Sequence, residues 1–563
     1  MIRTFDMHRV RKGRELTERL WEFKACEGEH ANQVLKVATP SCWEGYPGYA
    51  GYRGKGIYTT TFEAEGNIRL ECKGVCHTAT VYLDGKKIAE HYNAYTSFAT
   101  IVKDLPKGEH ILEILADNSF SEKSALHIPN DYMSYGGIGR PVVLETIEDV
   151  YIKNILVTPC KTENGWNAQV QVCLVNVSDE KHVIDLDTIL SGKGLKKEKW
   201  SKQGIVVEPK EELVISESMA CKDVVEWCPE EPELYYITSN LYEQGVAIDD
   251  YIDRFGFRQI AIEGKKILLN NKALRIKGVC RHEDHPQFTC ALPYAAMAAD
   301  LQIIKDMGCN SVRTSHYPND EVFLDLCDEE GILVWEENHA RGLSLEDMQN
   351  PNFEPQAENV IREMIPLHYN HPSIYIWGIL NECASDSEYG KDCYAKQFAL
   401  IKELDPSRPR SFASFKFKTD ICFGLPEVVS YNIYPLWYHD TPVDAYLDDL
   451  YQWVQKETEG AGKPFLITEV GAGAIYGYHD AYNSKWTEEY QAEALEKQLQ
   501  AILGYDDCSG VYIWQFCDVK VSKEWFDKRP RTMNNKGIVD EYRRKKQSYE
   551  VVKNLFHSYG NYF

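Results

Sequence analysis

No window of this chain approaches the roughly 18 consecutive apolar residues of a membrane-spanning helix. The opening stretch "MIRTFDMHRVRKGRE" lacks the apolar segment of a secretory signal. Together these absences predict a cytoplasmic protein with no membrane partner. Basic runs are equally scarce: the longest is Arg543-Arg544-Lys545-Lys546, and 62 basic against 86 acidic side chains leave a net charge of −24. A phosphate-backbone ligand needs a positive face, so no nucleic-acid partner is expected. No two of the seventeen cysteines form a C-x-x-C pair, and their number is odd. Reduced, mostly buried thiols are therefore expected, with neither a disulfide framework nor a metal site.

What is present is a long globular chain. Its 563 residues, 44% of them apolar, are enough for a large core and for several domains. From 1 to 146 short alternating strands are separated by turn residues, most clearly in "ATVYLDGKKIAEH", where Asp84-Gly85 offers a hairpin turn. Residues 147–258 continue in that style, with Val170, Val172 and Leu174 on one face of a strand. Both segments predict β-sandwiches.

From 259 to 563 apolar β-branched runs alternate with helical stretches such as 293–309, where Met297, Leu301, Ile304 and Met307 keep near-helical spacing. Eight strand candidates begin near 273, 311, 331, 373, 409, 428, 464 and 509. Eight such units predict a (β/α)8 TIM barrel, whose chemistry sits at the C-terminal ends of its strands. Those ends are polar: Arg313, Ser315 and His316; Glu336, Glu337 and Asn338; Asn381 and Glu382; Asn432 and Tyr434; and Glu469.

Glu382 and Glu469 close strands 4 and 7, across the mouth from one another. Two facing carboxylates suit glycoside hydrolysis, in which one stays protonated for the leaving group while the other attacks as an anion. Proximity supports this division, because an ionised Glu469 raises the pKa of a neighbouring Glu382. The alternative for either glutamate is an ion pair with a barrel arginine such as Arg313.

With these residues in place, the sequence resembles glycoside hydrolase family 2, the retaining β-galactosidase and β-glucuronidase group. "HPSIYIWGILNE" resembles its acid/base motif and "PFLITEVGAG" its nucleophile motif. "WCPEEPELY", "FGFRQI", "GVCRHEDHP" and "RTSHYP" are similar to its signatures before and at the barrel entry, and "YLDGKKIAEHYNAYTSF" to its jelly-roll domain. The resemblance implies a jelly-roll type for the first sandwich and an immunoglobulin type for the second, with Glu382 as acid/base, Glu469 as nucleophile and Asn381 as partner of the sugar 2-hydroxyl, and no cofactor required.

"RTMNNKGI", with Asn534 and Lys536, resembles the uronate-recognition motif of the family's β-glucuronidases. "DYMSYGGIGRP" places Asp131 where these use an aspartate on sugar hydroxyls, so a jelly-roll loop is expected to reach the barrel mouth. "NIYPLWY" supplies Tyr434 and Tyr438, although Ile433, Pro435 and Leu436 depart from the commoner residues there. Tyr434 is a candidate hydrogen-bond partner of the nucleophile, Trp514 a candidate floor for the sugar, and His282 a candidate substrate contact. The expected activity is release of terminal β-glucuronic acid from small or oligosaccharide glucuronides, possible alternatives being a β-galacturonidase, a β-galactosidase or a carbohydrate-binding protein. The short stretch from Gly342 to His371 implies an open mouth that admits bulky leaving groups. The resemblance also allows a homo-oligomer.

Overall fold

The computed structural model describes residues 7–195 and 198–563. Nine strands between Lys12 and Ile147 join in one hydrogen-bonded sheet, whose long members Lys55–Cys76 and Phe98–Asp117 pair with each other along most of their length. The register shifts between Ala64 and Ile68, where the partners of Lys55–Cys76 change. One core, with Trp21, Phe23, Tyr58, Leu70, Val81 and Ile114, closes the domain. The hairpin at Asp84-Gly85 forms as the sequence predicts: both residues take positive φ, 50° and 76°, and strands Thr78–Leu83 and Lys86–Tyr92 flank them.

The first sheet ends with Gly137–Ile147, and Val150–Thr162 begins the second domain, a three-stranded sheet facing a four-stranded one. In strand Gly165–Asn176, Ala168, Val170, Val172 and Leu174 are all buried, so the period-two pattern marks the core face. A small three-stranded sheet, Ile260 to Ala273, leads into the barrel.

The barrel closes with eight parallel strands: β1 (Ile276–Cys280), β2 (Ser311–Arg313), β3 (Leu333–Glu337), β4 (Ile374–Ile379), β5 (Arg410–Ser414), β6 (Val429–Asn432), β7 (Phe465–Val470) and β8 (Cys508–Ile513). Every one of these strand residues is buried, as expected for a sheet covered on both faces. The helix expected at 293–309 spans Tyr294–Asp306 and buries Met297, Leu301 and Ile304, with buried Met307 just past its end. Helix Glu321–Glu330 shows how the sequence sets its ends. Asp320 Oδ1 accepts from the Val322 amide at 2.9 Å, and Gly331 stops the helix in the left-handed region at φ 70°. Between β5 and β6 the chain runs through residues 415–428 without an α-helix. No helix among the described residues is long and apolar enough to cross a membrane.

Candidate active site

A cavity of about 290 Å³ opens at the C-terminal ends of the barrel strands. Of the ten residues expected to catalyse or to contact the sugar, seven line it, Asp131, Glu382, Tyr434, Tyr438, Glu469, Trp514 and Lys536, together with the strand-end residue Asn432. A larger cavity of about 810 Å³ lies where the three domains meet, lined by groups such as Arg69, Glu71, Lys73 and Glu321; the mouth carboxylates are not part of it.

The backbone turns sharply to deliver Glu382. Leu380 and Glu382 both take positive φ, 41° and 54°, a region that costs a non-glycine residue about 1 kcal/mol or more. Hydrogen bonds from neighbouring strand ends hold the turn: Asn381 N to Ala340 O at 3.1 Å, Glu382 N to Ala413 O at 2.9 Å and Gly342 N to Asn381 O at 2.8 Å. The strain is thus stored where the sequence places a candidate reactive carboxyl.

Arg313, fully buried at the end of β2, organises the floor. Its guanidinium donates to Glu469 Oε1 at 2.9 Å, Glu337 Oε1 at 2.9 Å, Asn381 Oδ1 at 2.8 Å and Thr468 O at 3.1 Å. The ion pair considered as a structural alternative for a glutamate therefore exists, and it lies inside the site. Tyr434 OH donates to the other oxygen, Glu469 Oε2, at 2.5 Å. Asn432 Nδ2 donates to both Asn381 Oδ1 and Glu382 Oε1 at 3.0 Å, and its own Oδ1 accepts from Thr468 Oγ1 at 2.8 Å. Glu382 Oε2 stands 3.6 Å from Arg341 Nη2.

Burial and the charge of Glu382 push the pKa of Glu469 up to about 7, against the opposing pull of Arg313 and Tyr434. The Glu469 side chain is only 5% exposed, so desolvation weighs heavily on its anion.

The jelly-roll domain does reach the mouth. Asp131 is buried there, 3.4 Å from Arg341 Nη2, and its Oδ2 accepts from Arg529 Nη2 and Asn534 Nδ2, each at 3.2 Å. Burial works against this carboxylate, but Arg341, Lys536 and Arg529 hold its pKa below the usual range. Lys536 Nζ donates to Tyr438 OH at 3.0 Å and lies within 6 Å of the rings of Tyr434, Trp437 and Tyr438. The segment that carries it is fixed by a two-stranded ribbon, Val519–Lys520 with Met533–Asn534, and by Gln515 N to Lys536 O at 3.0 Å. Gly537 is required next, since a Cβ there would stand 2.3 Å from both Asp518 N and Val539 O.

Three candidates are buried and are not among the residues that line the cavity. Asn381 and Asn534 are fully buried. His282 is also buried; its Nδ1 pairs with Tyr317 OH at 3.1 Å, and its ring stacks on Tyr132 and meets Trp514 edge-on at 5.4 Å. Burial and the neighbouring His316 hold its pKa well below the ordinary imidazole value. Trp514 itself stacks on His316 at 5.1 Å. Glu336 and Asn338 turn away from the mouth. Glu336 pairs with His368 at 3.0 Å, and Asn338 donates to Gln397 Oε1 at 3.0 Å, so of that strand end Glu337 alone joins the Arg313 network.

Arg341 and Arg529 were not singled out from the sequence, yet both line the cavity. Arg341 stands four residues beyond the end of β3, a strand-end position that could have flagged it. Arg529 lies shortly before the Asn-x-Lys run, in a segment with no strand or periodicity to mark it.

The pattern of two sandwiches, a barrel and a carboxyl pair at strands 4 and 7 matches three family descriptions in chain order. Residues 52–164 match the glycosyl hydrolase 2 galactose-binding domain-like family, 150–258 glycosyl hydrolases family 2, and 260–560 the TIM barrel domain of glycosyl hydrolases family 2. The chain belongs to glycosyl hydrolase family 2. A family 2 β-galacturonidase from Eisenbergiella tayi, solved bound to galacturonate, is 59% identical, covers 100% of both chains and superposes with a TM-score of 0.97. A β-glucuronidase from Streptococcus agalactiae is 27% identical over 541 residues, 88% of this chain and 86% of the relative. A β-galactosidase from Thermoanaerobacterium thermosulfurigenes is 29% identical over 528 residues, 91% and 68% of the two. The family 2 membership makes the chain a glycoside hydrolase and leaves the sugar to be argued from the cavity.

Proposed function

We propose that this chain is a retaining exo-β-hexuronidase that removes a terminal β-galacturonic acid residue. The observation that carries the uronide reading is the Lys536 ammonium, buried in the cavity wall 3.0 Å from Tyr438 OH. Arg341 and Arg529 line the same cavity, so three cations face the three carboxyls Asp131, Glu382 and Glu469. With one proton on the carboxyl pair the cavity carries a net positive charge, which complements a sugar carboxylate. A charge-assisted hydrogen bond from Lys536 is worth roughly 1.5–3 kcal/mol and favours a uronide over its neutral analogue by tens of fold. The galacto configuration is favoured by the β-galacturonidase relative, 59% identical over the whole chain. The β-glucuronidase relatives, at 25–29% identity, favour glucuronide as the second substrate.

In the mechanism that follows, Glu469 attacks the anomeric carbon while Glu382 gives its proton to the departing oxygen and the glycosidic bond breaks. Arg313 and Tyr434 keep Glu469 aimed and anionic. Asn381 Nδ2, buried and without a hydrogen-bond partner among the described residues, is free to donate to the 2-hydroxyl. Water then attacks the glycosyl ester, Glu382 takes its proton, and the sugar leaves with Glu469 restored. The open mouth beside the short Gly342–His371 stretch suits bulky or oligosaccharide leaving groups.

A panel of nitrophenyl β-galacturonide, β-glucuronide and β-galactoside tests the sugar, and proton NMR of the first-formed anomer tests retention. Galacturonide first, glucuronide second and initial release of the β-anomer are expected. A preference for the neutral galactoside would overturn the uronide reading; initial release of the α-anomer would overturn the double displacement.

A further inference from the structure

Three cysteines far apart in sequence converge between the jelly-roll domain and the barrel. Cys42 ends the short strand Ser41–Cys42, Cys76 ends Lys55–Cys76, and Cys290 lies in the loop joining β1 to its helix. Cys42 Sγ is 3.4 Å and Cys76 Sγ 3.9 Å from Cys290 Sγ, and all three sulfur atoms lie within 4.8 Å of one another. Thiolates sharing a zinc ion at bond lengths of about 2.3 Å stand roughly 3.8 Å apart, so this spacing is already that of a three-sulfur ligand set. Gly139 leaves the space open: a Cβ there would sit 3.0 Å from Cys76 Sγ and 3.3 Å from Cys290 Sγ. Its φ is not in the left-handed region, so the backbone conformation does not itself demand glycine.

We propose that Cys42, Cys76 and Cys290 form a binding site for a soft, thiophilic d10 cation, with zinc(II) as its representative, that ties the jelly-roll domain to the first βα loop of the barrel. Cys42 and Cys76 are buried while Cys290 is half-buried, so Cys290 is the ligand nearest solvent, and a water or small anion would complete the tetrahedron. On binding, each thiol releases its proton to the buffer and its sulfur takes the metal, so one zinc displaces three protons and no oxidant is involved. The resulting site carries one negative charge, and the Arg140 guanidinium acts on it electrostatically from the next residue along from Gly139.

The position gives such an ion leverage over the sugar site. Cys42 pairs with Gly137, directly after the loop that carries Asp131 to the barrel mouth. The loop holding Cys290 also carries Asp284, which accepts from Tyr135 OH at 2.6 Å, and Glu283, which pairs with Arg140 at 2.9 Å. An ion held by three sulfurs adds a further link across this same seam, so occupancy stabilises the arrangement that presents Asp131.

The full-length chain, reduced, stripped with a chelator and titrated anaerobically with zinc sulfate, should retain about one zinc per chain after gel filtration, with a higher melting temperature. Cys42→Ser, Cys76→Ser and Cys290→Ser should each retain less than about a tenth of that, while Cys228→Ser, half-buried elsewhere, should retain it in full. Cobalt(II) in the folded wild type should give thiolate-to-metal charge-transfer absorption, a reading that does not depend on any variant folding. Absence of that absorption, or equal zinc retention by Cys290→Ser, would overturn the site. So would a Cys42–Cys290 disulfide that, once reduced, leaves a chain unable to take up zinc, since the cysteines would then be a redox pair.

Discussion

The Tyr434 hydroxyl donates at 2.5 Å to Glu469 Oε2, the oxygen that Arg313 leaves free. Each Glu469 oxygen thus has its own strong donor, and both donors stabilise the anion. With the Glu469 pKa already pushed up to about 7 by burial and Glu382, losing either donor raises it further.

Tyr434→Phe therefore shifts the acidic limb of the kcat/KM–pH profile upward. The limb reports ionisation of Glu469 while Glu382 still holds its proton, so in the wild type it lies below the value of about 7 that the charge of Glu382 helps to set, and in the variant it moves up. Loss of a hydrogen bond to a charged group, roughly 1.5–3 kcal/mol, corresponds to a displacement of about one to two pH units. A variant with lower kcat and an unmoved limb would assign the phenol to the substrate instead.

Lys536→Ala should lower kcat/KM for the uronide by about ten- to a hundredfold while leaving a neutral galactoside within about threefold, because only the uronide loses a charge-assisted bond. Equal losses on both substrates would mean that Lys536 only packs Tyr434 and Tyr438.

Arg341→Gln addresses a residue that links Asp131 at 3.4 Å to Glu382 at 3.6 Å. Removing it separates the jelly-roll contribution from the acid/base. A fall in kcat/KM of about tenfold or more is expected, with the melting temperature changed little because Arg529 and Asn534 still hold Asp131. Unchanged kinetics would make Arg341 a bystander.

The barrel was legible because seven of its eight strands carry apolar β-branched residues, β5 (Arg410–Ser414) being the exception, and the mouth because polar residues follow those runs. The side chains' directions were not. In β3 both faces are buried, so no period-two contrast separates Glu337, on Arg313, from Glu336, which turns outward to His368. Of the two arginines at the mouth, Arg341 follows a strand end that could have marked it, whereas Arg529 sits in a loop, where an arginine looks like any solvated one. The thiol cluster was invisible for a third, since Cys42 and Cys290 are 248 residues apart and share no motif.

His371 opens the same motif that ends in Glu382, yet it sits before β4, at the opposite end of the barrel strand. Its Nδ1 meets Asp328 Oδ2 at 2.5 Å, and the Ser373 amide donates to Asp328 Oδ1 at 3.1 Å. Burial alone would lower its pKa, but Asp328, with Asp325 and Asp253 behind it, carries it up to about 9. A histidine raised from 6.5 to about 9 contributes stability that is fully present below pH 6.5 and is lost as pH rises through 9. Raising the imidazole from 6.5 to about 9 sets an order-of-magnitude ceiling of about 3 kcal/mol. Urea unfolding of the wild type should therefore weaken from pH 6.5 to 9.5, and His371→Asn should lack that slope. Glu469, at about 7, finishes titrating early in this interval and remains in the variant, so it cancels; Asp253, at about 6, is pulled down by His371 and would titrate higher without it, so the comparison is made in an Asp253→Asn background. Parallel slopes in the two proteins would show that His371 is neutral in the folded state and that the Asp328 contact is an ordinary hydrogen bond.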